Sequence, residues 1–327
     1  ELGSVLSQLR IKGAGEFYVG SVARRLSAGI SQAEGVLSMS ELRAYRPEWK
    51  QGASITFGNN VFYTAQPPAA GGLTASAIFY LLADTDLYLD TPNEARAHVI
   101  AEASKRAFAD RKNWLDSGAT VPFDMVRLNS SMASYDVNRA TQTDTLTPVP
   151  VRRLENPAAT SFVTVDQSGL AVACTVTMNN LFGTGRIVSD TGILLAAAPA
   201  VSGNATTSFA PMMLVNHNTS QIFFAGAATG GAAAPSALAS VMRAALLEEM
   251  SLGDAISTPR LHHGGAPDSV LIEPGFSITQ RQGLEKRQHR LKEFPEIGRV
   301  NAIHCPGGLP RSPETCTFET DRRGFGL

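Results

Sequence analysis

The sequence predicts an α+β fold, and three observations carry that prediction. The 327 residues have a net charge of −1 and are 43% hydrophobic and 17% charged, which is the composition of a globular chain. The first third places apolar residues at helical spacing, with short extended pieces between. From residue 160 onward, apolar runs bounded by turn residues are typical of strands. We therefore expect helices first, then strands, one further helix and short strands to the end.

The composition argues against several classes of protein. Proteins that bind nucleic acids or anionic membranes usually carry a basic surplus, and this chain has none. No stretch of about 20 residues is predominantly apolar, so no membrane span is expected. The apolar fraction is too high for a disordered chain. No signal or transit peptide opens the sequence, which starts at Glu1 rather than Met, and we expect it to be part of a longer precursor.

Four stretches of the first third are predicted to be helical. Residues 16–27 have an apolar period close to that of a helix, and residues 73–82 form an uncharged helix. Ser40 is suited to cap a short helix. The clearest helix begins at Thr91, a predicted N-cap, and Glu94 completes a capping box with it.

Two β-hairpins are predicted, one on either side of a linker. Residues 53–65 alternate as strands around a turn at 58–60. Residues 137–158 are rich in Thr, Gln, Pro and Arg without any period, which predicts an exposed linker. The second hairpin begins where the linker ends, with strands at 160–166 and 170–178.

The remainder of the chain is predicted as short strands around one helix. That helix follows Gly230 and Gly231 and carries an apolar stripe at helical spacing. The strands are expected at 212–215, 221–225, 270–272 and 300–304.

Three cysteines, Cys174, Cys305 and Cys316, have neither zinc-type spacing nor the number that a disulfide framework needs. Two alternatives remain open from the sequence. Either one Cys305–Cys316 bridge forms, or all three thiols are reduced.

Thr160 stands where the predicted linker meets the second hairpin. Threonine favours strands, so a threonine at the start of a strand has a plain structural explanation. The chemical interpretation is an autoprocessing residue. Its hydroxyl attacks the preceding carbonyl, the chain is cut, and the freed α-amine becomes the general base for the same hydroxyl. That mechanism needs an accessible linker before the threonine and a rigid strand after it, and both are predicted here.

Other polar or glycine positions have a chemical and a structural interpretation. Backbone N–H groups at Gly230 and Gly231 are able to stabilise an oxyanion, or the pair simply makes a tight turn. Asn179 is able to hydrogen-bond a nucleophile or a substrate carboxylate, or it caps the turn after the hairpin. His262 and His263 are adjacent on a predicted strand and point to opposite faces, so they are not expected to hold one metal ion.

The second hairpin and the residues after it resemble the start of the small subunit of γ-glutamyltranspeptidases, in the stretch TSFVTVDQSGLAVACTVTMNNLFGTGRIVSDTGILL. The most specific part is NNLFGTG at 179–185. Supporting pieces follow the family order along the chain: EFYVGSVA at 16–23, SEL at 40–42 with Tyr45, AQPPAAGG at 65–72, FADR at 108–111, ATGG at 228–231 and PRLHHGGAPD at 259–268.

This resemblance implies the four-layer αββα sandwich of N-terminal-nucleophile hydrolases. Residues 1–159 correspond to the C-terminal part of the family's large subunit and end in the linker. Residues 160–327 correspond to the small subunit and carry the nucleophile hairpin. The two parts are expected to form one interleaved domain. The front of the family's large subunit has no counterpart in this sequence.

The resemblance also assigns roles to individual residues. Gly230 and Gly231 match the oxyanion-hole pair, and Thr177 matches the residue that hydrogen-bonds the nucleophile. The positions near the substrate carboxylate are matched by Asn179, Thr207 and Ser208.

The nucleophile position allows two interpretations. Family members typically have Thr-Thr before the strand, and the first threonine is catalytic. A gap-free count back from Asn179 places that first threonine at Ala159 and puts Thr160 in the second slot. Either Thr160 is the nucleophile after a one-residue change of register, which reverses the faces of a strand, or Ala159 marks a family member that neither cleaves itself nor catalyses.

The function implied by the resemblance is hydrolysis or transfer of an acyl group from a small-molecule amide or γ-glutamyl substrate. The chain is expected to be a zymogen cleaved before Thr160, with fragments that stay associated and no metal or organic cofactor. Ala198 and Val201 replace the family's Gln and Asp at the substrate amine, and an apolar pocket leaves an ammonium group unpaired. This argues against γ-glutamyl specificity.

The alternative is an unprocessed binding protein with Ala159 in the nucleophile position. A periplasmic or secreted location is implied by the resemblance alone.

Overall fold

A computed structural model describes residues 1–83, 86–115, 124, 158–198 and 208–324. The chain divides into two compact units, each of which is built from two segments. The small unit comprises Glu1–Lys50 and Thr177–Val201, and the large unit comprises Gln51–Val176 and Ser202–Leu327. Except for residue 158, the predicted linker at 137–158 lies outside the described residues. The division at 159/160 stays a prediction about processing.

The described elements come in runs of helices and runs of strands, which is typical of an α+β fold. The helices are α1 (Leu2–Lys12), α2 (Gly15–Val19), α3 (Ser21–Gln32), α4 (Met39–Ala44), α5 (Gly71–Ala83), α6 (Leu87–Asp90), α7 (Asn93–Trp114), α8 (Ala234–Met242), α9 (Leu252–Ser257) and α10 (Ile278–Lys286). The strands are β1 (Ala53–Phe57), β2 (Asn60–Thr64), β3 (Ala159–Val165), β4 (Ala171–Thr177), β5 (Ile187–Val188), β6 (Ile193–Leu194), β7 (Ala210–Asn216), β8 (Gln221–Thr229), β9 (Leu261–His262), β10 (Val270–Ile272), β11 (Leu291–Glu293), β12 (Arg299–Leu309) and β13 (Thr317–Glu319).

The predicted helix at 16–27 is wrong in one respect, because the chain breaks it at Gly20 into α2 and α3. Gly20 adopts an extended conformation, with φ −90° and ψ −157°. The break lets the Glu16 carboxylate accept hydrogen bonds from the backbone N–H of Ser21, at 2.8 Å, and from its hydroxyl. A new helix N-terminus is satisfied in this way by an acidic side chain, whose charge also suits the helix dipole.

Two predicted caps are also wrong. Helix α4 is capped by Ser38 and not by Ser40, because Ser38 and Glu41 complete a reciprocal capping box. Helix α7 begins after Pro92, and the Thr91 hydroxyl donates to the carbonyl of Leu87, at 2.6 Å, instead of capping α7.

The centre of the large unit is a six-stranded sheet in the order β1-β2-β7-β8-β12-β13. All neighbouring strands in it are antiparallel. The predicted hairpin at 53–65 is confirmed, and so are the strands at 212–215, 221–225 and 300–304, which the structure extends. A second, smaller sheet consists of β11, β10 and β9, so the strand predicted at 270–272 is confirmed.

Helices α5, α7 and α8 cover one face of the six-stranded sheet. Their side chains and those of the sheet form the main core, in which Phe62, Phe79 and Phe224 are almost completely buried. Since burying such side chains is the dominant favourable term in folding, this layer accounts for most of the unit's stability. No helix of the described residues is long and apolar enough to span a membrane.

The β3–β4 hairpin covers the opposite face of the sheet. The Ser161 hydroxyl, which is buried, donates to the Ala227 carbonyl at 3.1 Å. The Asn301 side-chain amide donates to the Ser161 carbonyl at 2.7 Å and to its hydroxyl at 3.1 Å. Ala227 and Asn301 are themselves partners across β8 and β12. Ser161 is therefore fixed onto one residue pair of the central sheet.

The cysteine alternatives are resolved. Cys305 and Cys316 form a disulfide between β12 and the residue before β13. Cys174 is a free thiol and half-buried.

A buried ionic group supports the turn between β11 and β12. Arg260 is 0% exposed, and its guanidinium binds Asp321 at 2.7 Å. The same guanidinium donates to the carbonyls of Ile297 and Gly298 at 3.2 and 3.0 Å. Burial alone would raise the pKa of Asp321, but the charge of Arg260 and hydrogen bonds, including one from the Val300 N–H, hold that pKa below its ordinary value.

We expect Asp321→Asn to lower the free energy of unfolding by about 3 kcal/mol or more, because it leaves the Arg260 charge buried without its partner. Urea unfolding followed by circular dichroism measures the loss. Arg281→Gln is the matched control, because Arg281 forms exposed ion pairs with Glu285 and Glu293 and its loss should not shift the midpoint measurably. Equal midpoints for Asp321→Asn and the unchanged protein would contradict this prediction.

Candidate active site

Two strand ends of the central sheet meet where the glycine pair lies. Strands β7 and β8 are antiparallel, and Ala210 at the start of β7 pairs with Ala228 near the end of β8. Ser208, which is buried, precedes β7, and Gly230 follows β8 directly. Ser208 and Gly230 therefore lie at the same end of the sheet.

Strand β3 starts at this same end. Its later residues, Val163 and Val165, pack against the cluster that contains Ile222 and Ala225 of β8. Its earlier residue Ser161 bonds to Ala227, closer to the end of β8. Residues nearer the start of β3 therefore lie nearer the end of β8, where the glycine pair follows.

The two faces of β3 differ in exposure, as the two-residue period of a strand requires. Thr160 is exposed, whereas Ala159 is half-buried and shares the face of buried Ser161. The hairpin turn closes with a hydrogen bond from the Asp166 N–H to the Leu170 carbonyl at 3.0 Å. The register that follows places Thr160 opposite Val176, which is 48% exposed. The hydroxyl of Thr160 is therefore on the outer face of the hairpin.

The conformation of Gly230 excludes any side chain. Its φ is +122°, and a Cβ added there would lie 2.5 Å from the Cα of Gly298. Gly231, with φ +60°, opens a single 3₁₀ turn, Gly231–Ala233, that leads into α8. Backbone N–H groups at the start of a helix lack intrahelical partners, so this turn is chemically suited to bind an oxyanion.

Thr177 and Asn179 belong to the small unit. The Asn179 N–H donates to the Thr177 hydroxyl oxygen at 3.0 Å, and the Asn179 side-chain amide donates to the Ala197 carbonyl at 2.7 Å. Asn179 also has a positive φ of 65°, which asparagine tolerates well. Asn179 thus holds its own turn together, as its structural interpretation expects, and its role in substrate binding stays a prediction.

Two further predicted positions cannot be placed. Thr207, predicted near the substrate carboxylate, lies outside the described residues, and so does Val201. Ala198, predicted at the substrate amine, is described and exposed.

A buried histidine pair was not anticipated from the sequence. The ring nitrogens His98 Nδ1 and His289 Nε2 are 2.7 Å apart, and Glu102 offers a carboxylate oxygen within 4.8 Å of both rings. These three side chains have the ligand types that a divalent metal binds. However, Lys105 and Arg106 already bind the Glu102 carboxylate, at 2.7 and 2.6 Å, so two cations compete with any metal ion.

The adjacent histidines have different surroundings. His262 Nδ1 lies 2.8 Å from the Ser236 hydroxyl, and His263 Nδ1 accepts from the Gly265 N–H at 3.1 Å.

Stability should fall between about pH 6.5 and pH 3 because of the histidine pair. Burial lowers the pKa of His98 to about 4 and that of His289 to about 3. The unfolded chain has histidines with pKa about 6.5 and therefore binds more protons than the folded chain below that pH. We expect a loss on the order of 3 kcal/mol or more for each of the two histidines on acidification.

The measurement is urea unfolding at a series of pH values. A variant with His98→Gln and His289→Gln should lose part of the slope, whereas His217→Gln, at an exposed histidine, should keep it. An unchanged slope in the double variant would contradict the assignment.

Gly230→Ala should cost about 2 kcal/mol or more, because it adds a contact with Gly298 to the strain of a positive φ. Gly185→Ala is the control, since Gly185 has φ +70° but open space around it, and strain alone should cost about 1 kcal/mol. Thermal unfolding compares the two variants. Equal losses of stability in the two variants would show that the contact with Gly298 adds nothing to the strain.

Comparison with known proteins identifies the family of this chain. The chain matches the family model described as Gamma-glutamyltranspeptidase over residues 1–199 and 203–320. It is 25% identical to the glutathione hydrolase proenzyme of Escherichia coli K12, covering 92% of this chain and 57% of that protein. It is 27% identical to the oxamate amidohydrolase proenzyme of Klebsiella pneumoniae, covering 94% of this chain and 62% of that protein. The chain therefore spans about three fifths of the length of these relatives.

The fold is also found in a solved structure. The cephalosporin acylase of Bacillus halodurans superposes with a TM-score of 0.73 at 22% identity, over 100% of this chain and 61% of that one. The predicted fold class is thus confirmed. Because the family model matches nearly the whole sequence, the chain belongs to the γ-glutamyltranspeptidase family.

Proposed function

We propose that this chain is the nucleophile-bearing part of an amide hydrolase or acyltransferase. The observation that carries the proposal is the meeting of the start of β3, the start of β7 and the Gly230–Gly231 turn at one end of the central sheet. A nucleophile on β3 and N–H donors at the turn are the two groups that acyl transfer needs.

The proposed reaction has two steps. The nucleophile's oxygen attacks the carbonyl carbon of the amide, the C–N bond breaks, and the amine leaves with the proton that the hydroxyl gave up. Water or a second amine then attacks the resulting ester and releases the acyl group. In both steps the negative oxygen of the tetrahedral intermediate is stabilised by the N–H groups of Gly230 and Gly231.

Thr160 is the first candidate for the nucleophile. Its hydroxyl is exposed, and the neighbouring Ser161 is fixed to the central sheet by three hydrogen bonds. In the described register this hydroxyl faces away from β8, so self-cleavage and catalysis by Thr160 require the one-residue change of register that turns it toward the glycine pair. The two fragments would stay together, because β2 on one side of the cut pairs with β7 on the other.

A second candidate function is favoured by the strand alternation. Ala159 is the residue that shares the face of Ser161, which is the face directed at β8 and its glycine turn. The gap-free match to the family also puts Ala159 at the nucleophile position. In this case the nucleophile position holds the methyl group of Ala159. The protein then binds amides, but it cleaves neither its own chain nor the bound amide.

Intact-mass measurement after prolonged incubation separates the two candidates. If Thr160 is the nucleophile, a fragment that begins Thr-Ser-Phe accumulates and Thr160→Ala abolishes it completely, together with amide hydrolysis. If Ala159 occupies the slot, the chain stays whole, and Ala159→Thr introduces cleavage before residue 159. The double variant Ala159→Thr with Thr160→Ala completes the test, because it cleaves only in the second case.

The replaced amine-site residues predict the substrate preference. Ala198 and Val201 offer no carboxylate or amide for a substrate ammonium, so its burial would leave a charge unpaired. We expect a simple acyl anilide to be hydrolysed about tenfold or more faster, in kcat/KM, than a γ-glutamyl anilide. Should the unchanged chain prove inactive, Ala159→Thr is the form to assay. A preference for the γ-glutamyl anilide would reject this proposal.

The Cys305–Cys316 disulfide supports a periplasmic or secreted location, since such bonds persist in oxidising compartments.

A further inference from the structure

We propose that the large unit has a second ligand site, separate from the end of β3, which binds a small carboxylic acid with an apolar body. The site is a cavity of about 310 Å³ among α5, α7, α8 and α10, within the size range of small-molecule pockets. None of the residues predicted for the active site lines it. The proposal therefore stands independently of the proposed amide chemistry.

The larger part of the accessible cavity wall is apolar, although hydroxyl and amide side chains also line it. Side chains from three helices and the segments near β9 and α10 form it: Ile78, Leu82, Ile100, Ala239, Leu261 and Phe276. Such a wall favours a ligand with a hydrocarbon or aromatic body.

One end of the cavity is polar and holds a buried cation. The side chain of Arg243 is 8% exposed and lines the cavity beside Tyr88 and Glu248. Its Nη1 donates to the Tyr88 hydroxyl at 2.7 Å and to the Glu248 carboxylate. The Tyr88 hydroxyl in turn donates to Glu248 at 2.6 Å. These three groups fix the guanidinium in position.

The Nε atom of Arg243 lacks a hydrogen-bond acceptor within the described part of the chain. It is buried, and no atom of the described residues accepts a hydrogen bond from it. Because Nε has no accessible surface, a ligand in the cavity does not bond to it directly, but its missing acceptor leaves the guanidinium charge less stabilised by the protein, which favours an anion nearby.

The net charge around Arg243 determines which kind of ligand oxygen is favoured. Arg243 and Arg96 both pair with Glu248, the latter at 3.6 Å, so two cations face one carboxylate. The surplus positive charge favours an anionic acceptor over a neutral carbonyl, and guanidinium binds carboxylates particularly well. A monocarboxylate with an apolar body matches both the polar end and the wall.

The test is calorimetric titration of the whole chain with hexanoate and benzoate, each compared with its neutral amide, hexanamide or benzamide. At least one carboxylate should bind about tenfold or more tightly than its amide, because a charge-assisted hydrogen bond replaces a neutral one. No binding by either carboxylate, or equal binding of acid and amide, would overturn the proposal.

Two variants locate the binding. Arg243→Gln should remove the preference for the acid, and the exposed Arg281→Gln should leave it unchanged as the matched control. Ala239→Leu narrows the cavity and should abolish binding at some cost in melting temperature; titrating it below its own melting transition keeps the test decisive if Arg243→Gln does not fold. Hexanoate binding that survives Ala239→Leu would place the ligand elsewhere and reject the site.

Discussion

The attachment of Ser161 to the Ala227–Asn301 pair is the constraint on which the candidate active site depends. Because a strand alternates its faces at every residue, fixing one side chain fixes all the others. Ser161 on the sheet requires Thr160 to point outward and Ala159 to point inward. Three hydrogen bonds on one serine therefore decide which side chains of β3 face the central sheet and which face outward.

Most strands of the sheet and both hairpins were predictable because their signals are local, whereas the order of the strands in the sheet was not predicted. Two-residue alternation, turn residues and the abrupt change of composition at residue 160 are all visible within a few neighbouring positions. Helix ends were less predictable. Ser38 and Ser40 are equally good caps by type, and only the reciprocal bonds with Glu41 choose between them. The break at Gly20 likewise depends on where the Glu16 carboxylate folds back.

The buried polar groups were not predictable, because each joins residues far apart in the chain. His98 and His289 are 191 positions apart, and Tyr88 and Glu248 are 160 apart. One local signal was present: residues 98, 102, 105 and 106 recur at helical spacing on α7, so that charged side chains share a face with core residues. In the sequence alone, that spacing predicts a solvent-exposed helix face. Only the tertiary packing shows that the face is buried.

The Cys305–Cys316 bond also has a mechanical consequence for one edge of the six-stranded sheet. Strand β13 is short and fully exposed, and it covers the outer side of β12. With so few residues, it has little packing of its own to keep it there, and the covalent link does so instead. Reduction would release this cover and uncover unpaired backbone groups of β12, which invite strands from other molecules. The disulfide thereby keeps β12 from becoming an edge strand of the sheet.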